Sequence, residues 1–273
     1  MPILAILLLA AATATPQLTP RGLYEATFRA RIVAGNSLER FPQLEELRPY
    51  CVSRPRFTDV FFPAVNWTFL DADGKEVKRP AEGNSGLTLL SETERDFVLR
   101  FYAPEPAARV RIATYPNAKG NQTRIDGLTV RPIARGETLN VNPRFDLSPD
   151  ALPGWQLTGG ARYLPGIGVE TTGGAVYSDL FPVEPGMRLT MSLKGHVSKD
   201  IDRHNRLSCM IRYLRNYADG AKRSAYVNSK KIPYLEGTRR EFCEEQVVPE
   251  GVKWARCQAH GGLIYEIRIT GEE

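Results

Sequence analysis

The chain has 273 residues, 25% of them charged, and a formal net charge of +5. The basic residues are interleaved with acids, as in Arg95-Asp96, Lys75-Glu76 and Arg239-Arg240-Glu241. No dense basic stripe with interleaved aromatics runs through the chain, which argues against a nucleic-acid-binding protein.

The first residues bear on the compartment. Ile3 to Ala12 contains only Ile, Leu and Ala, and Ala12-Thr13-Ala14 follows as a small-x-small cleavage pattern. Residues 1–14 therefore read as a signal peptide, although no Lys or Arg precedes the apolar run. Ten apolar residues are too few to span a bilayer as a helix, and no later stretch is longer. The expectation is a secreted or extracytoplasmic protein that does not span a membrane. The residues that follow suit two domains of ordinary size, or one large β domain.

Strand signals dominate from there on. Leu23–Ile32, Val65–Phe69, Phe97–Phe101, Val110–Ala113 and Ile125–Val130 all alternate apolar and polar residues. Period two marks a half-buried strand in an antiparallel sheet. Asp73-Gly74, Pro104-Glu105-Pro106 and Pro116-Asn117 punctuate the spaces as turns. The one helix candidate, near Leu38–Leu47, is short. Many short strands with turn signals between them predict an all-β protein of sandwich type.

An internal repeat organises these strands. Thr93-Glu94-Arg95-Asp96-Phe97, leading to Pro104-Glu105, parallels Thr238-Arg239-Arg240-Glu241-Phe242, leading to Pro249-Glu250, at a constant offset of 145 (93 to 238, 104 to 249). Ala108–Ile112 then parallels Lys253–Cys257. Upstream, Phe69–Lys75 parallels Arg215–Ala221 with a one-residue slip, and downstream Ile125–Leu128 parallels Tyr265–Arg268. The second half carries an extra front segment, Leu139 to about Gly186, before its Leu189–Leu193 strand. This predicts a shortened module over 17–135 and a fuller one over 138–273, with a linker near Pro132–Glu137. A shortened sandwich leaves an open edge, to be completed alone, by a strand from its neighbour, or by dimerisation through the first module.

The second half reads Asn142-Pro143-Arg144-Phe145-Asp146, then Leu152-Pro153-Gly154-Trp155, then Phe181–Gly186 and Leu189–Leu193. This resembles the carbohydrate-binding modules of the CenC type, within the wider galactose-binding-like jelly-roll sandwiches. The first half matches only the later part of that pattern, ending in Ile125-Asp126-Gly127-Leu128. The resemblance implies two tandem antiparallel jelly-roll-type β-sandwich modules, the first shortened. It also implies a protein that binds a polysaccharide or glycoconjugate. Such modules commonly carry a structural calcium ion, and the motif places Asp146 and Glu266 as candidate ligands; no other cofactor is required. In a jelly roll of this pattern Cys209 and Cys257 lie on neighbouring strands with inward parity, making them a candidate disulfide. Cys243 is open to either partner, and Cys51 is either free or a bridge between modules.

Sugar binding calls for aromatic faces flanked by polar groups. In the second module the candidates are Trp155, Tyr163, Tyr177, Tyr213 and Trp254, with Arg212, Asn216 and Asp179 as polar contacts. Tyr213 shares its parity with Cys209 and Ile211 and is predicted to be buried. Trp254 has the parity opposite Ala255 and Cys257, which predicts an exposed or grooved position if those two point inward. The chain contains no G-x-S-x-G, no H-E-x-x-H and no Gly-rich phosphate loop, so an enzyme is not expected. The alternatives are a structural or adhesive surface protein with no small ligand, or a polysaccharide-acting enzyme with two convergent carboxylates.

Overall fold

A computed structural model describes residues 16–54, 56–78, 86–115, 120–148, 150–197, 207–215, 225–226 and 240–272. The expected signal peptide, Asn216, the Asp219-Gly220 turn and Thr238-Arg239 lie outside these residues. Among the described residues no helix is long and apolar enough to cross a membrane.

The first half contributes β1 (Leu23–Ala34), β2 (Arg56–Phe57), β3 (Val60–Phe61), β4 (Ala64–Leu70), β5 (Gly86–Thr88), β6 (Arg95–Tyr102), β7 (Arg109–Thr114) and β8 (Gln122–Pro132). The expected helix near Leu38–Leu47 is a 3-10 turn over Pro42–Leu47 that runs into a four-residue helical turn, Arg48–Cys51. Alternation sets the strand faces. Tyr24, Ala26, Phe28, Ala30 and Ile32 of β1 are buried, while Arg29 and Val33 between and beside them face solvent. The sheet β6-β1-β8 packs on the sheet β5-β4-β7, and Phe101 of β6 meets Phe69 of β4 edge-on at 5.5 Å.

The second half contributes β9 (Trp155–Gly159), β10 (Arg162–Leu164), β11 (Gly168–Glu170), β12 (Gly174–Ser178) and β13 (Phe181–Pro182). It continues with β14 (Arg188–His196), β15 (Ser208–Leu214), β16 (Ala225–Tyr226), β17 (Arg240–Val247), β18 (Trp254–His260) and β19 (Leu263–Glu272). One sheet runs β10-β11-β19-β14-β17, the other β16-β15-β18-β12-β9, with β13 also on β18. Tyr213 of β15 donates to Gln246 Oε1 of β17 at 3.2 Å, linking the two layers.

The echoing segments occupy like positions. β14 sits between β17 and β19 as β1 sits between β6 and β8, and β15 sits between β16 and β18 as β4 sits between β5 and β7. Registers agree too: Thr27 faces Val98 as Ser192 faces Cys243, and Trp67 faces Ile112 as Ile211 faces Cys257. The two halves therefore share a six-strand sandwich. The second adds β9, β12 and β13 beside β18 and β10 and β11 beside β19.

A further segment lines β19. Leu139 N donates to Ile269 O, Ile267 N to Pro143 O, Asn140 Nδ2 to Ile267 O, and Ile269 N to Asn140 Oδ1, all at 2.7–2.9 Å. In the first half no such strand lines the outer edge of β8 among the described residues. A bulge at Gly127, whose φ of +64° suits glycine, interrupts its pairing with β1 between Thr27 and Arg29.

Among the described residues, hydrogen bonds to backbone join the halves at two places, beside ion pairs of Asp150 with Arg48 and Arg95 and of Lys253 with Glu105. The first module's Ser53 Oγ accepts from Leu157 N, and Arg54 Nη2 donates to Gly159 O, both at 2.8 Å, capping the free edge of β9. At the second place Arg21 and Arg135 reach the backbone of β13 and its following turn.

Candidate functional site

Four of the predicted sugar platforms are core residues. Trp155 is fully buried; its Nε1 donates to Asn142 O at 2.7 Å and its ring lies 4.9 Å from Phe145. Asn142 Nδ2 donates to Pro153 O, and Asn142 Oδ1 accepts from Leu147 N. Gly154, at φ +79°, is the turn before Trp155, where a Cβ would strike Val141 at 2.4 Å. The motif residues Asn142, Phe145, Gly154 and Trp155 thus hold one another in place; their role is structural.

Tyr163 is buried, and its hydroxyl donates to Phe145 O at 2.9 Å. Burial first, then the charges of Asp146 and Asp150, push that phenol up to about 12. Trp254 is 1% exposed. Period two put it on the outward side of β18, but Trp254 through Ala259 are all buried, so β18 is covered on both faces. Tyr213, expected in the core, is there.

Tyr177 and Arg212 are half-buried. The Tyr177 ring carries the guanidinium of Arg256 at 4.5 Å and that of Arg212 at 5.3 Å. It is a cation-stacked ring, already in contact, and not a bare platform.

Asp146 and Glu266 do not fit a calcium site. Asp146 is exposed. Glu266 is buried and bonded to Arg268, with Lys194 at 3.4 Å and Arg144 at 3.8 Å. Burial alone would raise its pKa; Arg268 and Lys194 outweigh that and hold the carboxyl below its ordinary value. Three cations around one carboxylate leave no place for a fourth. Among the described residues no group of three or more His, Cys, Asp or Glu side chains gathers as a metal site.

The cysteines are free thiols. Cys209 and Cys257 do lie on adjacent strands with both side chains inward, and their sulfurs are 3.2 Å apart, in contact but unbonded. Met191 Sδ lies 3.2 Å from Cys209 Sγ. Cys51 is buried in the first module, where burial pushes its thiol up to about 11, and Cys243 is exposed on β17. Cys51 does not bridge the modules, and Cys243 pairs with neither Cys209 nor Cys257.

A concave site does exist, at the junction of the modules. A crevice of about 380 Å³ is lined by Arg21, Leu23, Tyr102 and Ile133, by Arg135, and by Pro182 and Glu184 across from them. Tyr102 and Leu23 are cross-strand partners on the outward face of the sheet β6-β1-β8. The turn before β1 holds Arg21 in the left-handed region at φ +63°, with its N–H donating to Ala103 O. From there Arg21 Nη2 donates to Val183 O at 2.8 Å and Nη1 pairs with Glu184 at 2.5 Å. Arg135 Nη2 donates to Pro182 O at 3.3 Å, and its guanidinium lies 5.9 Å from the Tyr102 ring centre.

Tyr102 is the unusual member. It is 5% exposed, yet its hydroxyl has no hydrogen-bond partner among the described residues. Burial raises its pKa, and neighbouring Arg135 only partly opposes this. A buried hydroxyl without a partner forfeits about 1–3 kcal/mol. Alternation on β6 places Tyr102 outward with Val98 and Arg100, so this residue was findable from the sequence. Arg21, Arg135 and Glu184 come from three turns in two modules, and nothing local marks them.

No family model and no curated protein matches the chain. Among solved structures it is similar to the tandem CBM22 modules of Xyn10C from Paenibacillus barcinonensis, at 12% identity and a TM-score of 0.36, over 93% of this chain and 80% of that one. It is similar to the tandem CBM51 modules of a family 98 glycoside hydrolase from Streptococcus pneumoniae, at 12% identity and a TM-score of 0.24, over 93% and 78%. It is also similar to a fucolectin from striped bass (Morone saxatilis) serum, at 12% identity and a TM-score of 0.20, over 92% and 80%. At these scores the likenesses carry no argument, and the all-β, two-sandwich architecture rests on the strand pairings themselves.

Proposed function

We propose that this chain is an exported, non-catalytic binding protein that takes a carbohydrate or glycoconjugate in the crevice between its two sandwiches. The observation that carries the reading is the Tyr102 hydroxyl, buried and unpartnered at the wall of a concave site. A sugar hydroxyl is a ready partner for it. The crevice has the volume of a small-ligand site. Leu23, Ile133 and Pro182 offer apolar surface to sugar C–H groups, and Arg21, Arg135 and Glu184 supply polar contacts at the rim. The sequence resemblance to carbohydrate-binding modules points the same way, at the level of fold alone.

The binding role is favoured over a hydrolytic one by the acids present. Glycosidic hydrolysis takes two carboxylates a few ångströms apart. The crevice lining has one, Glu184, and Arg21 already pairs with it.

A glycan-array screen of the whole protein tests the reading, repeated with Tyr102→Phe. The expected result is binding to at least one glycan by the parent, weakened about tenfold in the variant, the loss of one hydrogen bond of roughly 1.4 kcal/mol. No hits for the parent, or equal binding by the variant, would overturn it.

A further inference from the structure

We infer that the sugar taken by this crevice is an acidic one, a hexuronate unit of a carboxylated polysaccharide, with its carboxylate received by Arg135. The inference rests on the carbohydrate-binding reading of the same crevice and goes further by naming the charge the ligand must carry.

The crevice carries unmatched charge. Two guanidiniums, Arg21 and Arg135, line the crevice against one carboxylate, Glu184. Glu184 is committed to Arg21, which also donates to Val183 O. Arg21 is thereby fixed and neutralised. Arg135 donates to Pro182 O at 3.3 Å, lies beside Tyr102, and forms no ion pair among the described residues. Its guanidinium is nevertheless not loose in solvent: it is tethered to β13 on one side and lies beside the Tyr102 ring on the other. A guanidinium is a planar fork of donors, and a carboxylate is the planar acceptor that matches it with two parallel bonds.

Tyr102 sharpens the assignment. Tyr102 lines the same crevice as Arg135, and its buried hydroxyl has no partner among the described residues, so a ligand pressed against that wall would meet a cation fork beside a neutral hydroxyl. A hexuronate presents a carboxylate on C5 next to its ring oxygen and a neighbouring hydroxyl. That is the acceptor pattern these two side chains call for. A neutral hexose would satisfy Tyr102 and leave Arg135 facing a hydroxymethyl group.

The field around the crevice has the same sign. Farther along the same outward sheet face, Arg100 and Arg131 flank Glu25 at 3.0 and 2.6 Å, again two cations to one acid. A chain of repeating uronates leaving the crevice along this face would run over a net positive surface.

The test uses the whole protein and three acidic polymers: polygalacturonate, alginate and hyaluronan. Each is titrated by calorimetry beside its own carboxyl-esterified form, which keeps the backbone and removes the charge. At least one acid is expected to bind ten-fold or more tighter than its ester. Arg135→Gln, at an exposed position where folding is not at stake, should abolish that preference, and Tyr102→Phe should weaken the acid and its ester alike. If every acid binds no better than its ester, or if Arg135→Gln keeps the preference, the carboxylate assignment is wrong while sugar binding survives. If neither these polymers nor any neutral glycan on an array binds, both readings fall. Equal binding of dextran sulfate to parent and Arg135→Gln, with the uronate preference lost only in the variant, would separate general attraction to polyanions from the site itself and support the assignment.

Discussion

Strands β8 and β19 occupy the same place in their sandwiches and are built on the same alternation, yet one is half-buried and the other is core. Val130 faces Ala26 as Ile269 faces Met191. Val130 is half-buried, while Ile269 is fully buried. Ile125 and Ile264 differ in the same way, as do Ile112 of β7 and Cys257 of β18. The difference lies in what stands beside each strand. The second module adds five strands and the 139–143 segment along its β18 and β19 edges; the first ends at β7 and β8. Alternation decides which way a side chain points, and the number of neighbouring strands decides how deeply it is buried.

The largest expected effect separates the two strands directly. Ile269→Ala should destabilise the protein by roughly 2–5 kcal/mol, the range for a large-to-small change in a packed core. Val130→Ala should lose only about 1 kcal/mol, because part of its surface already meets water. Chemical denaturation of both variants measures the gap, and equal losses would break the comparison.

The 139–143 segment is the next test. Asn140 acts as a strand substitute, bonding Ile267 O and Ile269 N at 2.8 Å each. Asn140→Ala removes both bonds where the groups are buried, so a loss of about 1–3 kcal/mol is expected. The same denaturation series reads it.

Acid should act on both modules alike, since each buries a carboxylate among cations. Burial would raise the pKa of Glu25, but Arg131 and Arg100 prevail and hold it below the ordinary 4.5. Glu266 is held down by Arg268 and Lys194 in the same sense. A depressed carboxyl contributes stability that is fully present above its unfolded value and is lost as pH falls through its folded value. Stability should therefore be flat above 4.5 with respect to these two groups and fall below it. Glu25→Gln should make that fall shallower, as seen in denaturation midpoints on either side of that pH.

The smallest effect concerns the thiols. Cys243 should alkylate readily in the native protein, while Cys51, Cys209 and Cys257 should react only on unfolding, since they are buried. If the native protein is instead treated with an oxidant before unfolding, mass mapping is expected to find Cys209 linked to Cys257, whose sulfurs are already in contact.

Much of this fold was legible in the sequence because period two and the 145-residue echo are local and repeated. Phe97, Leu99 and Phe101 alternate whatever surrounds them, and the echo put β6 and β17 in like places. The site was far less legible. Parity assigns Trp254 a grooved or exposed place, but parity tells inside from outside only where the outer face meets water, and β18 is covered on both faces. Trp155 and Tyr163 looked like platforms because aromatic residues suit sugars and cores equally. The crevice is assembled from the turn before β1, the end of β6, the linker after β8 and the turn after β13. No periodicity connects those four places.

The claim on which the account stands is that the halves are one sandwich at two degrees of completion, with the first left open at β8 among the described residues. Amide hydrogen exchange at Val130 and Ile269 tests it most directly. Ile269 N donates to Asn140 Oδ1. Ile133 N donates toward β1, to Leu23 O, so by alternation Val130 N points away from β1, to the open edge. The account predicts strong protection at Ile269 and exchange at Val130 close to that of an unprotected amide. Comparable protection at the two sites would mean that something covers the edge of β8, and would contradict it.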